Sequence, residues 1–338
     1  MEIRDKRFLV TGGAGFIGSH IVDKLLEDKA RRVVVFDDFS SGSQHNIEHL
    51  RKDKRVSIMR GDILDFDTLC DVMRKVDVVS HQAAQLEIFR ALDDPFVDLR
   101  TNVLGTLNVL RAAKKCNVQK VINASSACVY GQAKYTPQDE YHPLRPQWPY
   151  GVSKLSAEKY CTMYYEFYGL PITNLRYGIV YGPREWFGRV LTIFIKRVFA
   201  NTAPVVFGDG LQERDFIFVS DVAEFHNLCV QEEETNGETY NVGTSRSTRI
   251  KDLAEIVIGA FGKPMNPLFE NPEEGSYSKI VSYRRRIPGE LLKMVLDNKK
   301  AEKETGWKPL VNLKEGVATE VEWFSSNSHN WEDEAPKV

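Results

Sequence analysis

The stretch Thr11-Gly12-Gly13-Ala14-Gly15-Phe16-Ile17-Gly18-Ser19 restricts what this chain can fold into more than any other. Arg7-Phe8-Leu9-Val10 leads into it as an apolar run of buried-strand type, and Ile17, Ile21, Val22, Leu25 and Leu26 follow at helical spacing. The glycines therefore punctuate a strand-to-helix turn, and the free amides of the first helical turn face the loop. Those donors and the positive end of the helix dipole make a site for a pyrophosphate. Gly12 permits the tight turn, Gly15 lets a phosphate approach the backbone, and Gly18 lets helix and strand pack closely. Phe16 and Ile17 open the helix and belong to the same binding set. The next apolar run, Arg32-Val33-Val34-Val35-Phe36, ends in Asp37, where an acid hydrogen-bonds an adenosine ribose. A carboxylate there repels a 2′-phosphate, so the pattern favours NAD over NADP, although Arg31 and Arg32 adjoin it.

A chain of 338 residues, 42% hydrophobic and 27% charged, can bury one large core or two modest ones without staples. Its formal charge of -2 gives no global field directed at nucleic acid or an acidic membrane, so the expected partner is a small molecule. Cys70, Cys116, Cys128, Cys161 and Cys229 are an odd, scattered set without metal-ligand spacing. They read as free thiols in a reducing cytoplasm, with no metal site. No apolar run reaches membrane-spanning length and the first residues do not form a signal peptide, so a cytoplasmic protein is expected.

After Asp37 the polar loop through Asp38, Ser41 and Gly42 lies at the carboxyl end of a strand, where such loops line a ligand crevice. Val56 to Met59 is a third strand, and it brings Asp62 and Ile63 toward the adenine. Asp62 equally suits the cap of the helix predicted by Leu64, Leu69, Val72 and Met73. Asp77 to Ser80 is a fourth strand running into His81-Gln82-Ala83-Ala84-Gln85. Ala83 and Ala84 allow a flat ring against the backbone, and Gln85 is within reach of both cofactor and substrate. A helix from about Phe96 to Cys116 carries Asn102 as polar support for the cofactor site. Val118 to Ala124 is a fifth strand, Tyr150 opens a helix reaching Phe167, and Ile172 to Tyr177 is a sixth strand with Tyr177 completing the cofactor set.

This alternation predicts an α/β protein: a Rossmann-type, doubly wound parallel sheet with a smaller mixed α/β C-terminal substrate lobe. Residues 1–177 are assigned to the NAD-binding domain and 178–325 to the substrate lobe, partly interleaved with the first. The lobe is expected to hold Val205 to Phe207, Asp215 to Val219, Thr239 to Val242 and a helix from Ile250 to Phe261. From Ser325 onward the chain reads as solvated, and 326–338 is set apart as a polar tail.

Tyr150 and Lys154 are four apart and hence neighbours on one helix face. An ammonium beside a phenol stabilises the phenolate, which predicts a lowered pKa and a usable general base at Tyr150. Ser126 is placed to bridge that phenol to a substrate hydroxyl. Such a pair on any helix is commonly surface and packing; here it follows the fifth strand, where a nicotinamide should end.

Thr11 to Gly18, Asp37, His81 to Ala84, Asn102, Ser125 to Gly131, Tyr150-x-x-x-Lys154, Arg176-Tyr177 and Arg214-Asp215-Phe216 together resemble the extended short-chain dehydrogenase/reductase family. More narrowly they are similar to its NAD-dependent nucleotide-sugar epimerases and dehydratases, over nearly the whole chain. The resemblance implies catalysis by Ser126, Tyr150 and Lys154 on a nucleotide diphosphate sugar whose diphosphate meets Arg214. It further implies that Tyr150 takes a proton from the sugar C4 hydroxyl while C4 gives its hydride to NAD, leaving a bound 4-keto sugar. In a UDP-glucose 4-epimerase the keto sugar turns and takes the hydride back on its other face. In 4,6-dehydratases an Asp-Glu pair stands at the positions of Ala127 and Cys128, so elimination lacks its acid and base here.

Ser125-Ser126-Ala127-Cys128-Val129-Tyr130 is also similar to the corresponding run of GDP-mannose 3,5-epimerases, where the cysteine exchanges protons at C3 and C5. A thiolate suits that task. That family pairs its cysteine with a lysine where this chain has Arg189, an always-charged and poor proton donor. Cys128 is therefore either a small packing residue or the base of a C3/C5 epimerase. Ile179 stands where the family places an Asn on the substrate. Arg214 and one of Arg284-Arg285-Arg286, chosen as Arg286, are the expected diphosphate ligands, and Arg189 is a further substrate-binding residue in the unusual stretch Arg184 to Arg189, which is expected to shape sugar specificity. A non-catalytic NAD-sensing protein is the alternative from another class. The helices at Phe96 to Cys116 and Tyr150 to Phe167 are apolar on more than one face, which predicts a homodimer.

Overall fold

A computed structural model describes residues 1–328. The chain opens with β1 (Arg7–Thr11), α1 (Phe16–Glu27), β2 (Arg32–Asp37), β3 (Val56–Arg60), α2 (Phe66–Met73) and β4 (Val78–His81). Short α3 (Ile88–Asp93) and α4 (Pro95–Asp98) pass through a π-helical stretch, Leu99–Gly105, into α5 (Thr106–Lys115). The helix expected over this region is therefore present but widened at Asn102, as helices often are where they present a side chain to a site. β5 (Lys120–Ser126), α6 (Pro149–Tyr168) and β6 (Ile172–Tyr177) follow.

Beyond β6 come β7 (Ile179–Tyr181), α7 (Val190–Phe199), β8 (Val205–Phe207), β9 (Glu213–Arg214), β10 (Phe216–Phe218) and α8 (Val219–Gln231). The last elements are β11 (Thr239–Val242), β12 (Thr248–Arg249), α9 (Ile250–Ala260), β13 (Leu268–Glu270), β14 (Lys293–Met294), α10 (Lys299–Thr305) and α11 (Leu313–Asn327).

Seven strands make one parallel sheet in the order β3-β2-β1-β4-β5-β6-β11. The doubly wound α/β fold read from the glycine turn and the strand-helix alternation is the observed one. The order reverses between β1 and β4, and a crevice opens there at the strands' carboxyl ends. Strand period sorts the side chains: Phe8 and Val10 face α1 and α8 through Ile21, Leu25, Val222 and Phe225, whereas Leu9 faces α2, α5 and α6 through Leu69, Leu110 and Cys161. A separate core gathers Phe194, Leu253, Val257, Val321 and Phe324 from α7, α9 and α11.

Thr239 to Val242, expected in the smaller lobe, instead extends the main sheet as β11 beside β6. Sequence reading missed this because the strand arrives after the alternation has lapsed, and only its parallel partner identifies it. β5 runs two residues further than expected, so Ser125 and Ser126 end the strand rather than leave it. Residues 325–327, expected in a solvated tail, continue α11, with Ser325 and Ser326 exposed, and most of the expected polar tail, 329–338, lies outside the described residues. All five cysteines are free, and no described helix is long and apolar enough to cross a membrane.

Candidate active site

The glycine turn folds as its residues require. Gly12 has φ +65° and lies so close to the β4 exit that a Cβ would sit 2.7 Å from the Ala83 amide nitrogen. A Cβ on Gly18 would come within 2.1 Å of the Gly12 carbonyl oxygen. Gly15 caps α1 without a side chain, leaving the amides of Phe16 and Ile17 to a ligand. Asp37 ends β2 beside this turn, and its carboxylate accepts the amides of Ala14 and Phe39, both at 2.9 Å. Burial pushes Asp37 up while those two amides hold it down. Gly42 packs directly on the Asp37 carboxylate, and Asp38 accepts the Ser40 amide at 2.8 Å, which shapes the loop through Ser41.

Asp62 does not cap α2: that is Asp65, which accepts the Thr68 amide, while Asp62 accepts the Leu64 amide at 2.8 Å. The carboxylate one turn nearer the helix wins because only it reaches the helix's own free amides. Ile63 is buried against Gly105. Ala83 and Ala84 lie half-exposed along the crevice, and the Tyr177 hydroxyl donates to Gln82 at 3.2 Å. Gln85 is held internally, donating to Glu87 O and Asp98 Oδ1 at 2.9 Å each and accepting the Glu87 amide. Asn102 brackets it, taking the Gln85 amide and donating to the Gln85 carbonyl and to Ser153 on α6. Both side chains thus shape the crevice wall from behind. The cradle suits a dinucleotide: backbone reaches the phosphate turn at every point where a side chain would block it.

At the end of β5, Ser126 accepts the Cys128 amide at 3.2 Å, and Gly151 packs directly on the Cys128 carbonyl, which brings the start of α6 and Tyr150 against the turn that follows Ser126. The fold thereby joins two groups that the sequence only aligned in principle. The Lys154 ammonium donates to the Ala124 carbonyl at 2.5 Å, and burial pushes it down to about 8. The lowered phenol expected from Lys154 is not what the fold delivers. Burial dominates and pushes Tyr150 up, with Ser126 and Arg189 opposing and Lys154 turned toward the strand. Cys128 packs among Ala127, Val129, Trp148 and Leu296. Burial pushes its thiol up, against Ser126, Arg189 and Arg214, which disfavours the thiolate that a proton-exchanging base needs.

Next to this group a cavity is lined by Ile179, Arg189, Arg214, Phe216, Arg284 and Glu290, among others. Arg189 belongs to both places, since its charge bears on Tyr150 and Cys128. It donates to Val180 O at 3.1 Å and pairs with Glu185 at 3.3 Å. Arg214 is held by Glu213 O at 2.9 Å and lies 3.9 Å from Glu290. The lining carries three guanidiniums against the carboxyls of Glu185 and Glu290, so it is cationic and suits a diphosphate. From the basic triplet it is Arg284, stacked 3.9 Å over Phe207, that lines the cavity. Arg286, the expected ligand, donates instead to Asn271 and to Pro272 O and lies 3.9 Å from Glu290. Tyr277 and Arg285 form an isolated antiparallel bridge between the two arginines, a register that composition does not supply.

Residues 9–319 match the family model described as GDP-mannose 4,6 dehydratase. The chain belongs to that family. A putative UDP-glucose 4-epimerase of Methanocaldococcus jannaschii is 38% identical over 325 residues, covering 95% of this chain and 99% of that protein. Among solved structures, UDP-glucose 4-epimerase of Thermotoga maritima with UDP-glucose superposes with a TM-score of 0.86 at 33% identity, over 95% of this chain and 99% of that one. The dTDP-glucose 4,6-dehydratase DesIV of Streptomyces venezuelae, with NAD bound, gives 0.88 at 29% identity, over 96% and 99%. The resemblance read from the motifs is thus the observed kinship, and it includes epimerases and dehydratases alike.

The chain also carries buried acids of which sequence reading singled out only Glu185, as part of the stretch Arg184 to Arg189, and passed over Glu87 and Glu320. Glu87, just before α3, is pushed up to about 7 by burial, against Arg189 and then Arg90. Glu185, behind Arg189, is pushed up to about 7 by burial. Its neighbour Glu320 on α11 is wholly buried and raised by burial and by Glu185. A Glu at helical spacing reads as a solvated face, so Glu320 leaves no sequence signal.

Proposed function

We propose that this protein is a cytoplasmic, NAD-dependent nucleotide-sugar epimerase that inverts a sugar at C4 through a transient 4-keto sugar. The observation that carries the reading is the seating of the Tyr150–Lys154 turn of α6 on the end of β5 at Ser126, beside a cavity whose wall holds Arg189 and Arg214. Gly12, Gly15 and Gly18 with Asp37 would hold the dinucleotide. NAD held there would supply the hydride-acceptor chemistry at the sugar C4. Ser126 would orient the C4 hydroxyl, and the phenolate form of Tyr150, which Ser126 and Arg189 favour against burial, would take the hydroxyl proton and later give it back. Lys154, fixed on Ala124 O, presents a positive charge along the same helix face. Arg214 and Arg284 hold the diphosphate while the sugar turns between them and the phenol.

Elimination of water is disfavoured because Ala127 and Cys128 offer no carboxyl on the turn after Ser126. Exchange at C3 or C5 is disfavoured by the raised Cys128 thiol. The intact catalytic trio speaks against a binding-only role. The same reading includes a homodimer through α4, the π-helical stretch Leu99–Gly105 and α6, where Phe96, Leu99, Leu104, Val152 and Phe167 are exposed apolar side chains.

The test is incubation with UDP-, dTDP- and GDP-hexoses, guided by mass spectrometry of nucleotides carried through purification. Proton NMR is expected to show a C4-inverted product at equilibrium with its substrate. An unchanged C4 centre in every nucleotide sugar, or a 6-deoxy-4-keto product, overturns the proposal.

A further inference from the structure

Glu158 has no part in the chemistry above, yet it is 3% exposed and fully engaged. Its Oε2 accepts from Ser125 Oγ at 2.8 Å and Arg176 Nε at 3.0 Å, and its Oε1 accepts from Arg176 Nη2 at 2.5 Å. Arg176 Nη1 donates to the Tyr130 hydroxyl at 2.8 Å, and that hydroxyl donates to Asn241 at 2.7 Å. One carboxylate on α6 therefore gathers β5, β6, β11 and the turn that carries Cys128. One helical turn earlier, Lys154 grips Ala124 O. Two successive turns of α6 thus hold two successive residues of β5, and the next residue is Ser126.

We propose that Glu158 is a positioning residue: locked to Arg176 and Ser125, it fixes the seating of α6 on the end of β5 and places a negative charge one turn from Lys154. The assignment rests on the catalytic reading of Ser126, Tyr150 and Lys154. A buried ion pair replaced by apolar groups is often neutral for stability, so stability alone does not explain a pair with this geometry. The groups that face Lys154 are Glu158 and Cys161 from its own helix, Asp98 from α4 and His81 from β4. Burial keeps the Cys161 thiol and the His81 ring neutral, so Glu158 and Asp98 are the charges that support the ammonium against burial.

The test is Glu158→Gln, with Glu158→Gln/Arg176→Met as a second variant that leaves no unpaired guanidinium. Lys154 is followed in the whole protein by the ¹³Cε shifts of labelled lysines, a measurement that needs no substrate. In both variants its titration is expected to move down by about one pH unit. The basic limb of kcat should move with it, and kcat should fall about tenfold with KM little changed. Glu158→Asp should return the titration toward that of the parent. A Lys154 titration unmoved in Glu158→Gln overturns the proposal, as does a double variant that recovers kcat in step with its melting temperature. Failure of the parent to turn over any nucleotide sugar would remove the epimerase reading and leave the Lys154 shift to be judged by itself.

Discussion

Arg189 and Glu185 face one another at 3.3 Å, the carboxyl 1% exposed and the guanidinium 28% exposed. A buried acid thus holds the inner side of a cation whose outer side meets the cleft and the catalytic phenol. Glu320 lies behind them, so two buried carboxyls share one positive neighbour.

That arrangement fixes a pH dependence. Glu185 is raised from 4.5 to about 7 and Glu320 well above its ordinary value, so the stability tied to their protonated forms is full below about pH 4.5. It is lost as pH rises through 7 and beyond. Glu320→Gln is expected to flatten this alkaline decline and to raise Tm at pH 8.5 by roughly 2–4 °C in scanning calorimetry. His20 and His81 act at the other end: burial pushes both down to about 3, so their contribution is present above about pH 6.5 and lost on acidification. The acid limb should be the same in both proteins, and an alkaline limb unaltered by Glu320→Gln would dismiss the carboxyl pair.

Tyr150→Phe removes the proton acceptor and keeps the ring. Turnover is expected to fall roughly 10²–10⁴-fold with nucleotide-sugar affinity nearly unchanged. Turnover near that of the parent would refute the role given to the phenol.

Cys128→Ala separates packing from chemistry. Activity within about threefold of the parent is expected, with no deuterium entering C3 or C5 in heavy water for either protein, because desolvation of the half-buried Cys128 thiol disfavours the thiolate. Deuterium at those carbons, lost in the variant, would reinstate Cys128 as a base.

The three arginines should divide by position. Arg214→Ala and Arg284→Ala are expected to raise KM for a nucleotide sugar roughly tenfold to a hundredfold, the worth of a charge-assisted contact. Arg286→Ala should do less, since its guanidinium is engaged by Asn271 and Pro272. Isothermal titration with the nucleoside diphosphate reads all three, and the reverse ranking would return the diphosphate to Arg286.

Light scattering at working concentration is expected to give the mass of a dimer. Leu104→Glu/Val152→Glu places charges on the exposed apolar face and should yield monomer. A monomeric parent contradicts the proposed interface.

Local chemistry was legible in the chain by itself. The glycine turn, the apolar strands, Asp37 and the Tyr150-x-x-x-Lys154 spacing each follow from periodicity and backbone sterics within a few residues, and they determined the doubly wound sheet and its cofactor crevice. The dominant force on the Tyr150 phenol was not legible, because burial depends on what closes over it from elsewhere. Nor was the position of Arg284 rather than Arg286 on the cavity wall, the return of Thr239 to Val242 to the main sheet, or the meeting of Glu185 with Glu320. Those were decided by tertiary structure alone, since each joins segments distant in sequence whose apposition is set by register and packing.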